Sequence, residues 1–202
     1  MDNVSNEFLD AVKKRRSIYA ISKEEILSDE KLEALIGEAV LHTPSSFNSQ
    51  SARVILLLNE QHNKLWDLTQ ETLKKIVPAD SFEPTAQKMA AFRSGYGTVL
   101  FFEDQSVVQG LQEQFPLYQE NFPLWSLHST GMLQHVIWTA LATEGYGASL
   151  QHYNPLIDEQ VAKEWNAPFS WKLIAQMPFG KATMPAGEKT FQPLDDRLKV
   201  FK

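Results

Sequence analysis

The chain has 202 residues and a mass of 23.0 kDa, which suits one domain over residues 1–202 with a core of its own. Hydrophobic residues make up 43% and charged residues 22%, and the net charge of −6 (pI near 5.4) argues against nucleic acid, which calls for a basic face. The absence of cysteine excludes a disulfide, a thiolate metal site and a cysteine nucleophile.

The N-terminal stretch MDNVSNEFLD is acidic and polar, unlike a signal peptide. No apolar run approaches the roughly 18 residues of a membrane span, so no membrane partner is expected and the cytoplasm is the expected location. A first helix is predicted over residues 5–15, with Phe8, Leu9 and Val12 as its apolar stripe. Residues 22–29 read as a connection. Ser28 or Asp29 then caps a second helix that carries Leu32, Leu35, Ile36, Ala39 and Val40 on one face and stops before Pro44. The run RVILLL, residues 53–58, reads as a strand covered on both faces.

Residues 61–76 form a strong helical pattern through Leu65, Trp66, Leu68 and Leu73, ended by Pro78, and residues 85–93 a shorter one. YGTVLFF, residues 96–102, reads as a second buried strand, followed by an acidic turn at Glu103-Asp104. Residues 106–115 are predicted helical and 116–123 irregular and aromatic-rich. Residues 124–144 form the longest helical pattern. It is apolar on more than one side (Met132, Leu133, Val136, Ile137, Trp138, Leu141), the mark of a central buried helix, and Gly145 caps it. A short strand (148–152), a helix (155–165) and a strand (171–178) follow, and from Gly180 the chain turns polar. No repeat or linker divides it. The order implies α+β, or mixed α/β, built as one layered sheet with helices around it.

Two short polar motifs stand out at helix ends. Arg15-Arg16-Ser17-Ile18-Tyr19 offers a planar guanidinium and a hydroxyl in one turn, the donors a phosphate dianion takes. A helix end with basic residues complementing the macrodipole would look the same. Pro44-Ser45-Ser46-Phe47-Asn48-Ser49-Gln50 has the composition of a surface loop, but it runs straight into RVILLL, and loops at strand ends are frequent ligand sites. Together the motifs supply two guanidinium groups, four serine hydroxyls and two carboxamides, an inventory for one phosphate and one polyol chain. The five histidines (His42, His62, His128, His135, His152) lack metal-ligand spacing, and no nucleophile triad is evident.

At these residues the sequence resembles the FMN-dependent nitroreductase family, with its early Arg-x-Ser and its Pro-Ser-x-x-Asn-x-Gln after the second helix. RRSIYA, PSSFNSQS, GTVLFFED, ASLQHYNP and MPFGK look like its compact branch of fungal and bacterial stress-related enzymes, copper-induced ones of lactic-acid bacteria included. The resemblance covers nearly the whole chain. It implies a nitroreductase-like α+β fold, with a central antiparallel sheet of four to five strands surrounded by helices. It also implies an intertwined homodimer with two FMN sites, each built from both chains. NADH or NADPH would reduce the flavin, and small aromatic oxidants, nitroaromatics or quinones, would reoxidise it in a ping-pong cycle. The flavin then carries the chemistry and no side chain needs to be catalytic.

By the same resemblance, the cofactor-binding residues are Arg15, Arg16, Ser17 and Tyr19; Pro44, Ser45, Ser46, Asn48 and Gln50; and Leu150, Gln151 and His152, of which Gln151 and His152 map onto the backbone N–H that would face flavin N5. Arg197 and Lys199 in the terminal segment would return to the phosphate. Tyr19 departs from the pattern, since many relatives carry a basic residue there; Lys88 is a candidate replacement, with Lys181 and Lys189 behind it. Phe115, Tyr118, Phe122 and Trp125 are candidates to roof a substrate pocket, or are simply core. An FMN reservoir or redox-responsive regulator with little turnover is the rival function, and a flavin-free ligand-binding protein a third.

Overall fold

The computed structural model describes residues 6–202. Residue 5, the predicted start of the first helix, lies outside them. Helix α1 (Glu7–Lys14) begins where Asn6 caps it: the Asn6 side chain accepts the Phe8 N–H at 2.9 Å. Glu7 and Asp10 in its first turn and Lys13 and Lys14 in its last both complement the helix dipole. Its predicted apolar stripe is only partly covered by this chain: Val12 is half-buried where α1 packs on α6, while no residue of α1 is fully buried and Phe8 is 66% exposed.

Strand β1 (Ile21–Ser22) falls partly in the stretch read as a connection, too short for any periodicity to show. Helix α2 (Asp29–His42) follows N-cap Ser28 and buries Leu32, Ile36 and Ala39. Next come β2 (Ala52–Leu58), α3 (Asn59–Lys74), α4 (Glu83–Arg93), β3 (Gly97–Asp104), α5 (Gln105–Gln114) and α6 (Phe122–Thr143). Strand β4 (Tyr146–Ala148), helix α7 (Asp158–Glu164) and β5 (Trp171–Ala182) complete the regular elements. Strand β4 is shorter and earlier than its forecast and stops at Ala148, after which the Ser149 N–H bonds to the Pro178 carbonyl and Gln151 bridges Gln176. Helix α7 starts later than forecast and β5 runs four residues further.

The sheet is antiparallel, in the order β1-β5-β3-β2, with β4 also paired to β5. Strand β3 lies inside it and is buried along its whole length. Successive side chains of a strand face opposite ways, and β3 feeds two cores in this manner. Val99 and Phe101 join Leu32, Ile36, Leu133, Ile137 and Leu141 under α2 and α6. Leu100 and Phe102 join Leu65, Trp66, Phe92, Val161 and Leu173 under α3, α4 and α7. Helices therefore cover both faces, as the α+β reading expects.

Two expectations are corrected. RVILLL is not fully covered: β2 has one neighbour, and of its residues only Leu57 is buried. Glu103 and Asp104 are not a turn but the buried end of β3, at 0% and 8% exposure. Their carboxylates find partners that no local pattern reveals. Thr130 of α6 donates its hydroxyl to Glu103 Oε1. Arg53 donates to Asp104 Oδ2 at 3.1 Å, and Ser106 donates to Asp104 Oδ1 at 2.6 Å.

Candidate functional site

The two polar motifs lie at opposite ends of α6. At its C-terminal end, the segment after α1 runs beside β4. The Ile18 N–H donates to the Ala148 carbonyl at 2.9 Å, and Ser17 bridges Ala148. The approach is close enough to require glycine at residue 147, where a Cβ would stand 2.8 Å from Ile18 Cγ2. This contact brings Arg15, Arg16, Ser17 and Tyr19 to the edge from which residues 149–152 emerge. Ser17 and Tyr19 are exposed, and Arg16 donates to the Gly187 carbonyl at 2.6 Å, tying the terminal segment down.

Arg15 differs from its neighbour. Its guanidinium lies over the Trp138 ring of α6, 4.5 Å from the centroid, and its Nε is buried with no hydrogen-bond partner. Burial, then the charge of Arg16, lower its pKa from the usual arginine range, yet a guanidinium remains a cation. A buried donor without an acceptor is costly, and an anion is what it lacks. The donor set at this end therefore fits a flavin phosphate.

Leu150, Gln151 and His152 follow β4 in extended form. The Gln151 N–H donates to the Gln176 carbonyl at 2.7 Å, and its side chain is buried against Ser149. Gln151 is thereby committed to the sheet and cannot be the residue whose N–H faces flavin N5. In an extended chain, alternate N–H groups point to opposite sides. Those of Leu150 and His152 have no partner among the described residues, and His152 is exposed.

At the other end of α6, residues 44–50 form a tight loop with a 3-10 turn at Ser46–Asn48. The Gln50 N–H donates to Ser45 Oγ at 2.9 Å and the Asn48 N–H to the Ser45 carbonyl at 3.0 Å. Phe47, Asn48 and Gln50 all have positive φ (56°, 49° and 49°), a region that side chains rarely enter. A ring cluster offsets that strain: Phe47 meets Phe115 at 5.0 Å, Phe122 at 5.3 Å, Tyr118 at 6.1 Å and Trp125 at 6.3 Å between centroids. Of these rings Phe122 is core, while Phe47 and Tyr118 stand exposed. Beside the loop runs a groove of about 330 Å³, lined among others by Thr43, Ser45, Gln50, Arg53, Ser129 and Trp171.

Arg15 packs at Trp138 and Phe47 packs at Phe122 and Trp125. At the helical rise of ~1.5 Å per residue, Arg15 and the Phe47 ring cluster are about 20 Å apart along α6, with the groove of Ser45, Gln50 and Ser129 between them. Lys88 sits exposed on α4, its ammonium 5.7 Å over the Phe92 ring, and α4 packs on α3 across the sheet from α6. Lys181 pairs with Glu24, and Lys189 lies over Phe191 in the terminal segment. Arg197 and Lys199 stand exposed around the 3-10 turn at Leu194–Asp196, further along the terminal segment that Arg16 holds at Gly187. Trp138 under Arg15 and Gly187 under Arg16 went unforeseen: one reads as an ordinary core residue of a helix, and the other lies in the polar stretch after Gly180.

An α+β sheet with an unpaired buried guanidinium at one end of its long helix and a strained polar loop at the other is an architecture that can hold a cofactor. The chain belongs to the nitroreductase family, whose pattern matches residues 12–181. It is 47% identical to nitroreductase CinD of Lactococcus lactis, solved with chloramphenicol and with 4-nitrophenol; the alignment covers 97% of this chain and 100% of that one, with TM-scores of 0.90 and 0.89. In Saccharomyces cerevisiae, HBN1 is 35% identical over 96% of each chain, and nitroreductase FRM2 is 31% identical over 93% of this chain and 94% of its own. A Desulfitobacterium hafniense nitroreductase with bound FMN shares the fold at 19% identity, with a TM-score of 0.72 over 98% of this chain and 100% of that one. Membership makes the protein an oxidoreductase.

Proposed function

We propose that the protein is an FMN-dependent oxidoreductase working as a homodimer, with each flavin held between two chains. The observation that carries this reading is the unpartnered Arg15 guanidinium beside Ser17, at the edge where the free N–H groups of Leu150 and His152 emerge. When bound, FMN would accept hydride at N5 from NADH or NADPH and pass reducing equivalents to a nitroaromatic or quinone-type oxidant in a ping-pong cycle. Arg15 and Ser17 would hold the phosphate, with Arg16 anchoring the terminal segment. The N–H of Leu150 or His152 would fix the ring edge and stabilise charge there. Ser45, Ser46, Asn48 and Gln50 would complete the site from the second chain. That FMN lies in a relative of the same fold, and that CinD takes up nitroaromatic compounds, supports the reading.

The second chain is argued from geometry. Arg15 and a loop whose Phe47 cluster lies about 20 Å away cannot close on one ring system, but a copy placed with its α6 antiparallel brings its loop to the first chain's Arg15. The outer face of α6 suits such a neighbour, with Leu124, Leu127, Met132 and Val136 all exposed. A role in stress defence and a cytoplasmic location are consistent with this chemistry.

An anaerobic visible spectrum of the purified protein, before and after NADH and then NADPH, tests the proposal. A flavin band that bleaches within seconds is expected. A band that persists with both donors would instead indicate a flavin reservoir or regulator, and no band after incubation with FMN would overturn the reading.

A further inference from the structure

As a phosphate ligand, Arg15 must be held in one orientation. A free arginine side chain spreads over many rotamers, and Arg16 beside it repels it. Arg16 is fixed by the Gly187 carbonyl, whereas Arg15 makes no hydrogen bond or ion pair among the described residues. What it has is Trp138. With the guanidinium 4.5 Å over the indole, one face of its plane is covered and its N–H groups can be used only around the rim. The indole contributes a second feature. Trp138 Nε1 is buried without a partner, as Arg15 Nε is. Both groups are donors and nothing else, so the stack presents two spare N–H groups and no acceptor to answer them.

Resting on the FMN reading, we propose that Trp138 is the positioning residue for the flavin phosphate: it holds the Arg15 guanidinium against α6, and preference for FMN over riboflavin depends on it. A purely structural tryptophan at this helix contact would affect both ligands alike, because they share the ring and the ribityl chain. A positioning residue affects only the ligand with the phosphate.

Flavin-free protein is titrated with FMN and with riboflavin, and the ratio of the two dissociation constants is read for wild type, Arg15→Ala, Trp138→Leu and Trp138→Phe. Trp138→Leu should reduce the preference for FMN about tenfold, as Arg15→Ala does, while Trp138→Phe keeps a ring under the guanidinium and should stay within about threefold of wild type. If Arg15→Ala loses the preference and Trp138→Leu keeps it, or weakens both ligands equally, Trp138 is not the positioning residue and the phosphate reading stands. If Arg15→Ala keeps the preference, the phosphate reading itself fails. Should Trp138→Leu not fold, the wild-type indole ¹⁵N–¹H resonance that disappears in Trp138→Phe serves instead. It should move on adding FMN or inorganic phosphate and stay in place with riboflavin; indifference to both phosphates overturns the proposal.

Discussion

His62 shows how one buried ring is committed to a single charge state. It is 1% exposed, with Nε2 3.3 Å from the Arg93 carbonyl and Nδ1 2.8 Å from Thr98 Oγ1. A carbonyl only accepts, so Nε2 carries the proton; Nδ1 accepts from the Thr98 hydroxyl, whose oxygen in turn accepts the Trp66 indole N–H at 3.0 Å. The neutral ring fits this chain of bonds, and burial pushes its pKa down to about 4. The unfolded chain takes up this proton below its own value near 6.5, while the native state refuses it until about 4. Stability from His62 is therefore complete above about pH 6.5 and is lost as pH falls towards 4, by about 3 kcal/mol in all. Urea unfolding across that window should show the slope, and His62→Gln should flatten it; an unchanged slope in the variant would rule His62 out as its source. Glu103 is a second case. Burial raises its pKa, and the Thr130 hydroxyl serves it. Glu103→Gln should be mild, whereas Glu103→Ala should cost roughly 2–4 kcal/mol by leaving a void, the Thr130 hydroxyl falling back on the Ser126 carbonyl 3.2 Å away, as measured by urea unfolding. Nothing local in the sequence distinguishes this Glu-Asp pair from a surface turn, because what buries it comes from α6, over twenty positions away.

At the scale of elements, periodic segments were legible and contextual ones were not. The helices α2, α3 and α6 carry their apolar residues at helical spacing, and their bounds fall within a few residues of expectation. Coverage is a different property. RVILLL reads as fully buried because five of its six residues are apolar, yet it became an edge strand. Apolarity on two sides of α6 was rightly noticed, but one side faces the sheet and the other, with Leu124, Leu127, Met132 and Val136, faces outward. That outward stripe is the proposed seat of the second chain. Met132→Glu would set a carboxylate in the middle of it, and a buried unpaired charge is severely unfavourable. Sedimentation should then fall from about twice 23.0 kDa to 23.0 kDa, with flavin lost in parallel. A variant that keeps the double mass and its flavin would place the contact elsewhere.

For the whole molecule, the fold class was legible because helix and strand patterns alternate with clear stops, and the motif chemistry because its residue types are unusual at helix ends. The partners of those motifs were not. Trp138 lies over a hundred positions from Arg15, and only the packing of α1 on α6 joins them. The same packing sets the motifs at opposite ends of one helix, and this has a genetic consequence. If each flavin needs Arg15 from one chain and the 44–50 loop from another, two inactive proteins can repair one another. Arg15→Ala spoils one half-site and Asn48→Ala the other. Unfolded and refolded together, half the dimers would be mixed, each with one doubly damaged site and one wholly intact site, so about a quarter of wild-type activity should return. Two mutant alleles in one cell would complement for the same reason, while either mutant expressed beside the wild type would simply dilute it, since every mixed dimer keeps one intact site.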